Sequence, residues 1–469
     1  MERKTVKRLI HGFGANAYGQ LVTVVIQLVG VPILLHAWGP QLYGEWLILF
    51  AIPAYLLMTD LGFSQSASND MTARVARGDR AGALSVFQSV SLLVYGAAAL
   101  VLILSSLLIC SLPLHDWLNF GAMSASELRW TLILLVLQVV VVLPNGVNHA
   151  GFRAGGDYAL HTFINATTRL LQFVSIWITA LGGGGPVSAA AVSAGIGGLA
   201  TLGAAILLAR RHPWLRFGFA RARCAELRGL ARPALANVAI PTAQALNIQG
   251  MVLVVGAVMG PLAVVVFSTL RTLTRLAFQL SAAVCHAAEP ELAAAFGAGR
   301  RDLMRSLFTQ ALRASLWLAL TAAAGLALFG SVILETWTHG RVLMVPALFS
   351  WLLGSAVASV LWYGALIVLR AANRHLRAAN VYLVVAATAL GMAAVLVGST
   401  DNLASVGLAL LFLDAAMALC TMNAAARVLN ARPLKSLWLA VNPYPLVTTL
   451  LRQVSQEGRR VPKSSLLRD

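Results

Sequence analysis

Apolar residues occur in runs of about 20 that recur along nearly the whole chain, separated by short polar or glycine- and proline-containing stretches. A run of this length is what an α-helix needs to cross the hydrocarbon core of a bilayer. The pattern predicts twelve spans, at residues 14–36, 41–63, 83–111, 128–149, 161–181, 187–209, 234–257, 262–287, 306–334, 343–368, 377–398 and 403–425. The fold class expected is an all-α, polytopic membrane protein with no appended soluble domain.

The amino-acid composition also indicates a protein that is surrounded by lipid. Mean hydropathy is +0.78 and only 11% of the residues are charged, which is too few to cover the surface of a soluble protein of 469 residues. The apolar run near the N-terminus is of full span length, so it is interpreted as a retained helix and not as a signal peptide.

Motifs for catalysis and for metal binding are missing from the sequence. The four cysteines form no CxxC pair, which argues against a zinc site or a disulfide framework. No phosphate-binding G-x-x-x-x-G-K-[ST], H-E-x-x-H or Asp-x-Asp motif is present. The chain is therefore not expected to be an enzyme or to hold a metal or cofactor, and a membrane-embedded glycosyltransferase or polymerase is disfavoured.

The basic residues fix the orientation in the membrane. Of the 35 Lys and Arg residues, 29 precede the first span, lie in alternate loops, or follow the last span, so they all fall on one face. The positive-inside rule makes that face cytoplasmic and places both termini there. Orientation and contact with anionic membrane lipids thus explain the net charge of +18, and nucleic acid is not a predicted partner.

A weak internal repeat divides the chain. A shift of 221 residues and then of 217 residues aligns several short motifs in phase with the spans, including Gly39-Pro40 with Gly260-Pro261, Gly78 with Gly299, and Phe152-Arg153-Ala154 with Leu369-Arg370-Ala371. Six spans per half give both halves the same orientation, with a pseudo-symmetry axis along the membrane normal. The predicted domains are an N-terminal six-helix lobe (1–209), a basic cytoplasmic crossover loop (210–232), a C-terminal six-helix lobe (233–425) and a tail (426–469).

Four arginines fall inside predicted spans. Arg271 lies near mid-depth and Arg275 one turn further along the same span, whereas Arg169 and Arg313 lie nearer the cytoplasmic ends. A mid-membrane arginine costs at least about 2.5 kcal/mol on insertion scales, so it needs water, an acid or an anionic ligand. Arg271 and Arg275 are predicted to bind an anionic substrate or to pair with Asp414; Arg169 and Arg313 are weaker candidates, since long side chains near span ends reach the interface.

Three acids are candidates for ion coupling or ion pairing. Asp414 lies at mid-depth of the twelfth span, Asp60 near the inner end of the second, and Glu45 near its outer end. Local capping by Asp60 and an interfacial position for Glu45 are the simpler alternatives. Breaks within spans, where helices bend or line a cavity, are predicted at Pro32, Pro53, Pro144 and Pro241.

The N-terminal third resembles the opening of a known family. Asn16, Gln27, Pro32, Trp38-Gly39-Pro40, Tyr43-Gly44-Glu45-Trp46, Pro53, Tyr55, Asp60-Leu61-Gly62-Phe63 and Asn69-Asp70 are similar to the opening of Wzx-type polysaccharide flippases of the multidrug/oligosaccharidyl-lipid/polysaccharide exporter superfamily. Beyond residue 90 the resemblance rests on the doubled six-helix layout.

The resemblance implies a MATE-like fold and transfer of an undecaprenyl-pyrophosphate-linked oligosaccharide to the outer leaflet of a bacterial inner membrane by alternating access. It also implies a cationic lumen, where Arg271 and Arg275 would bind pyrophosphate. A coupling cation (H+ or Na+), polysaccharide polymerase and assembly proteins are the further partners expected. An ion-coupled multidrug or organic-ion antiporter of the same fold is the alternative, which an acidic cavity would favour.

Overall fold

The computed structural model describes residues 3–60, 62–118, 120–431 and 441, except for the side chains of residues 3–10, 57–60 and 236. The described chain contains helices and no β-strands. The helices are α1 (Arg3–Ala51), α2 (Phe63–Ala76), α3 (Arg80–Ser111), α4 (Leu114–Leu118), α5 (Ala125–Val142), α6 (Asn145–Gly155), α7 (Tyr158–Leu181), α8 (Pro186–Arg211), α9 (Cys224–Ala245), α10 (Met251–Gly297), α11 (Arg301–Thr338), α12 (Pro346–Ala371), α13 (Leu376–Thr400) and α14 (Ala404–Leu429).

Two helices, α1 and α10, are too long for one membrane crossing. They contain 49 and 47 residues, or roughly 70 Å each at 1.5 Å per residue, against a hydrocarbon core of about 30 Å. Each breaks at a glycine in a conformation that side chains rarely tolerate: Gly39 has φ 71° and ψ 171°, and Gly260 has φ 81° and ψ −178°. Both breaks fall between predicted spans, and the two glycines are partners in the predicted repeat.

The repeat also appears in the loops. Gly78 and Gly299 both have positive φ, 85° and 68°, and in each loop the following N–H binds the carbonyl five residues earlier at 2.9 Å. Gly156 and Asn373, aligned by the shift of 217, behave in the same way, with φ of 90° and 53° and a corresponding hydrogen bond of 2.8 Å. These are matching helix C-terminal turns, so the sequence repeat corresponds to repeated local structure.

Nine helical stretches of the described chain are long and apolar enough to cross a membrane. Two of them, His11–Leu56 and Asn237–Gly297, contain the glycine breaks and are 46 and 61 residues long, so each has room for two crossings. Helix α7 is outside those nine, but its 24 residues lie at the predicted fifth span. The layout therefore agrees with the predicted order of crossings.

Three predicted spans are less regular than uninterrupted helices. The second ends as an α-helix at Ala51 and continues as a 3₁₀ helix, Pro53–Asp60, before α2 begins. The fourth is divided at Pro144 into α5 and α6, and the seventh passes through a π-helical turn, Leu246–Gly250. Proline lacks an N–H and blocks the preceding turn, which explains the first two of these departures.

The chain forms two compact units: residues 1–272, 331–348 and 382–409 make the first, and residues 273–330, 349–381 and 410–469 the second. The first has a buried apolar core in which Phe87 on α3, Phe152 on α6 and Leu208 on α8 are fully enclosed. The second has its own core, which includes Leu292, Phe308 and Met422. The boundaries of the predicted six-helix lobes stay a prediction.

Candidate functional site

A cavity of about 620 Å³ lies within the first unit, among the 3₁₀ helix, α2, α5, α6, α7 and α9. Helix breaks contribute to its wall. Pro241 lines the cavity directly, and Pro53 and Pro144 each precede a lining residue. Three of the four prolines singled out in the sequence are therefore at or next to this cavity. Bends in helices separate neighbouring helices locally and leave space between them.

The cavity wall combines apolar and polar side chains. Among the described residues that line it there is no Asp, Glu, Lys or Arg, and the polar ones offer amides, imidazoles and a hydroxyl: Ser64, Gln65, Asn145, His149, His161, Asn165, Asn237 and Gln244. Such groups both donate and accept hydrogen bonds. The polar groups of the described lining suit a hydroxyl-rich or otherwise hydrogen-bonding ligand.

Four of these side chains form a continuous hydrogen-bonded chain across α6 and α7. Nδ1 of His149 lies 3.1 Å from Nδ1 of His161, and Nε2 of His161 lies 3.0 Å from Oδ1 of Asn145. Nδ2 of Asn145 donates in turn to Oδ1 of Asn165 over 3.3 Å. His161 is buried, with 1% of its surface exposed, whereas His149 is partly exposed at the cavity.

This cluster was missed by sequence reasoning, which searched the spans for charges. A signal was present: Asn145 and His149 are four residues apart, as are His161 and Asn165. Residues four apart share a helix face, so two polar pairs on consecutive helices mark two polar stripes. Neutral amides and imidazoles carry a smaller insertion penalty than arginine, which made them less conspicuous.

Arg271 lies on α10 and is buried, with 9% of its surface exposed. Its Nη1 donates to the carbonyl oxygen of Asn247 over 2.8 Å, and its Nη2 donates to Oδ1 of the same residue over 2.6 Å. Asn247 belongs to the π-helical turn and donates to the Tyr382 hydroxyl over 3.3 Å. The guanidinium also lies over the Phe267 ring, 5.5 Å from its centroid. One role of Arg271 in this structure is thus to satisfy the polar groups of an irregular turn.

The other three candidate arginines also lie outside the set of cavity-lining residues. Arg169, on α7, is exposed and contacts α1: its Nη2 donates to Thr23 Oγ1 at 2.5 Å, with Gly19 O at 3.4 Å. Arg275, on α10, is partly buried, and Arg313, on α11, is 8% exposed. Both belong to the second unit. The four arginines are therefore not among the described residues that line the 620 Å³ cavity, and the cationic lumen stays a prediction.

Asp414 lies on α14 in the second unit and is buried, with 5% of its surface exposed. Its Oδ2 accepts from Ser355 Oγ over 2.5 Å and its Oδ1 from Trp362 Nε1 over 2.8 Å, both donors being on α12. Among the described contacts of Asp414, these two hydrogen bonds tie α14 to α12. Its role in coupling or ion pairing stays a prediction.

Of the other two candidate acids, only Glu45 has a described side chain. Glu45 is fully buried, and its Oε1 accepts from Gln41 Nε2 and from the backbone N–H groups of Gly121 and Ala122, over 2.8 to 2.9 Å. Its Oε2 accepts from the N–H of Met123 over 2.9 Å. The carboxylate thus holds the segment between α4 and α5 by three hydrogen bonds and accepts a fourth from its own helix. The side chain of Asp60 lies outside the described residues.

Within the described part of the chain, no three His, Cys, Asp or Glu side chains are grouped in a way that would hold a metal ion.

Comparisons with known proteins identify the fold. No protein-family model and no curated protein matches the chain. Among solved structures, the inward-facing conformation of a multidrug resistance MATE family transporter of the MOP superfamily is similar over 87% of this chain and 94% of that one, with 15% identity and a TM-score of 0.70.

Two further solved structures are similar. The MATE multidrug transporter DinF-BH, solved in complex with a rhodamine dye, is 13% identical over 92% of this chain and 98% of its own, with a TM-score of 0.64. A MOP superfamily transporter from Pyrococcus furiosus Vc1, described by the reverse polarity of its binding pocket, is 14% identical over 90% and 96%, with a TM-score of 0.56. The expectation of an all-α, polytopic membrane protein with a MATE-like fold is confirmed.

Proposed function

We propose that this chain is a flippase that moves an undecaprenyl-pyrophosphate-linked oligosaccharide from the inner to the outer leaflet of a bacterial cytoplasmic membrane by alternating access. The observation that carries the proposal is the cavity of about 620 Å³, whose described lining includes amide and imidazole side chains and no Asp, Glu, Lys or Arg. Sugar hydroxyls both donate and accept hydrogen bonds, and Asn, Gln and His side chains match both roles. Lipophilic cations would find no acidic group among the lining residues that the structure describes.

The charged part of such a substrate needs a different partner. We assign the pyrophosphate to the intramembrane arginines, with Arg271 and Arg275 as the principal candidates and Arg169 and Arg313 as secondary ones. A guanidinium presents five N–H donors in a planar fork, so it can bind phosphate oxygens while keeping contacts to protein. The coupling cation, H+ or Na+, and the polymerase and assembly proteins belong to the same proposal.

A multidrug antiporter of the same fold is the second candidate. It is favoured by the similarity to MATE multidrug transporters, one of them solved in complex with a rhodamine dye. The two functions differ in the charge of the cargo, because a flippase moves a pyrophosphate anion and an antiporter for rhodamine dyes moves a cation.

One experiment separates these functions. Purified protein is reconstituted into liposomes containing undecaprenyl-pyrophosphate glycans of different length, and transbilayer movement of the labelled glycan is measured; parallel liposomes are tested for uptake of the rhodamine dye under ion gradients. We expect glycan movement without dye uptake. Gradient-driven dye uptake with static glycans would overturn the flippase proposal in favour of the antiporter.

The arginine assignment has a matched control. Arg271→Ala removes the charge and the contacts to Asn247, whereas Asn247→Ala removes one of those contacts and keeps the charge. If Arg271 binds pyrophosphate, its replacement abolishes glycan movement while Asn247→Ala reduces it only partly. Equal losses in the two variants would mean that Arg271 acts only by holding the π-helical turn.

A further inference from the structure

The hydrogen bonds that link His149, His161, Asn145 and Asn165 all run in one direction, which the amide oxygen of Asn145 determines. Oδ1 of Asn145 can only accept a hydrogen bond, so Nε2 of His161, 3.0 Å away, must carry a proton. A neutral His161 then has an unprotonated Nδ1, which accepts from Nδ1–H of His149 over 3.1 Å. Every bond in the chain thereby runs from His149 towards Asn165.

Burial separates the two histidines as places for an added proton. A proton added to Nδ1 of His161 would reverse the bond between the rings, with the Nδ1 proton of His149 moving to its own Nε2, and would place the positive charge on a side chain that is only 1% exposed. A proton added to Nε2 of His149 breaks nothing, because within the described residues that nitrogen has no hydrogen-bond partner. It also strengthens the existing bond, since an imidazolium is the better donor.

We propose that His149 is a proton-binding site that faces the cavity, and that buried His161 is its permanently neutral acceptor. The proton adds to the Nε2 lone pair from water in the cavity and returns to it, so no covalent bond of the protein changes. Histidine is the side chain whose ordinary pKa permits this exchange near neutral pH.

Charged and titratable side chains lie near His149, both on its own helix and on the neighbouring helices. Arg153 lies one turn further along α6, and its Nη1 donates to Asn69 Oδ1 over 3.0 Å; the Tyr158 ring lies edge-on to His149 at 5.5 Å. On the neighbouring helices, Asp70 pairs with Arg74 on α2, and Asp157 pairs with Arg211 and His212 at the ends of α7 and α8. Arg169, also on α7, donates to Thr23 on α1. Arg153 is thus the charged side chain on the same helix as His149, one turn away from it.

Proton binding and cargo binding would use one lone pair. In the neutral state, Nε2 of His149 accepts a hydrogen bond from a hydroxyl of the cargo; in the protonated state, it cannot accept one. A proton entering the cavity therefore displaces the hydroxyl, which is the elementary step of proton-cargo antiport. This coupling role rests on the proposed flippase function, whereas the proton site itself does not.

The proton site is tested without transport. Protein labelled with ¹⁵N-histidine is placed in lipid nanodiscs, and its imidazole nitrogen signals are recorded from about pH 8 to about pH 5. The signals of His149 and His161 are identified from their loss in His149→Gln and His161→Gln, with His11→Gln, an exposed position on α1, as the control. We expect Nε2 of His149 to become protonated while His161 keeps a single proton on Nε2. An unchanging His149, or a His161 that takes up the proton first, would overturn the proposal.

The coupling role is tested by transport under a pH gradient. His149→Gln keeps a hydrogen-bonding side chain but cannot titrate, so the ratio of glycan movement with and without the pH gradient should fall to one, whatever its basal rate; His11→Gln should keep the ratio of the unmodified protein. A full response in His149→Gln would overturn the coupling role and leave the flippase intact. Absence of glycan movement in the unmodified protein would instead overturn the flippase function, while the nitrogen signals still decide the proton site.

Discussion

Gly44 on α1 lies directly against Pro261 on α10, so closely that a Cβ added to Gly44 would come within 2.2 Å of the Pro261 carbonyl oxygen. Pro261 follows the break at Gly260, and Gly44 lies five residues beyond the corresponding break at Gly39. The two repeated Gly-Pro breaks therefore belong to one packed region of the first unit, in which the backbone itself is a contact surface. A side chain at position 44 would therefore collide with the backbone of Pro261.

Replacement of Gly44 by Ala should consequently destabilise the protein. A methyl group at this position meets a backbone atom, which cannot rotate away, and overpacking of this kind costs about 1–3 kcal/mol. Gly14→Ala is the control, because it lies on the same helix and a Cβ there meets nothing within 4 Å. Thermal unfolding in detergent should show a lower midpoint for Gly44→Ala alone; equal midpoints for both variants would contradict the close approach.

Much of the fold was accessible from the sequence because crossing a bilayer imposes a simple pattern. Runs of apolar residues gave the crossings, and the repeated Gly39-Pro40 and Gly260-Pro261 pairs marked breaks whose backbone angles are closely matched. The irregular stretches were harder. Proline at position 53 or 144 predicts an interruption, but whether the chain continues as a 3₁₀ helix or restarts as a new α-helix depends on packing against distant residues.

Glu45 should act as a structural anchor in addition to any role in coupling. Its carboxylate accepts three backbone N–H groups and the Gln41 amide, and an amide in its place must point an NH₂ group at one of these donors. Leaving a buried donor without an acceptor costs about 1–3 kcal/mol. Glu45→Gln should lower the unfolding midpoint in detergent, whereas Glu335→Gln, exposed on α11, should not. An unchanged midpoint for Glu45→Gln would argue against the anchor.

Arg74 should tolerate replacement by lysine poorly. Its guanidinium binds both carboxylate oxygens of Glu226, at 3.2 and 2.7 Å, and also Asp70 at 2.7 Å, which joins α2 to the first turn of α9. Partial burial opposes the charge, but the hydrogen bonds to Glu226 and the nearby carboxylates outweigh it and raise the pKa of Arg74 above its ordinary value. Lysine cannot reproduce this fork.

The expected loss for Arg74→Lys is about 1 kcal/mol, the upper end for a partly exposed pair, measured as a shift in the chemical denaturation midpoint. Arg77→Lys, at the end of the same helix and exposed, is the matched control and should be neutral. If Arg77→Lys and Arg74→Lys shift the midpoint equally, the bidentate contact contributes nothing specific.

The sequence predicts some residues of the candidate site and not others. Asp414 was identified by its depth, because a charge in a span is costly, yet its donors Ser355 and Trp362 lie 59 and 52 residues earlier in the chain and no spacing rule connects them. The His149 and His161 pair was missed since neither residue is charged. Only the fold brings α6 and α7 together and turns two neutral stripes into one hydrogen-bonded chain.

Substitutions of Asp414 should separate the stabilising effect of its hydrogen bonds from that of its negative charge. In Asp414→Asn the amide oxygen still accepts from Trp362 and the new NH₂ donates to the Ser355 hydroxyl, so both contacts in α12 survive. Asp414→Ala removes both and, by the cost of buried polar groups without partners, should lose about 1–3 kcal/mol more than the Asn variant. Thermal unfolding in detergent measures the order, with Ser355→Ala expected to fall between them because it removes one donor only. Equal destabilisation by Asn and Ala would show that the negative charge itself, and not its two hydrogen bonds, stabilises the second unit.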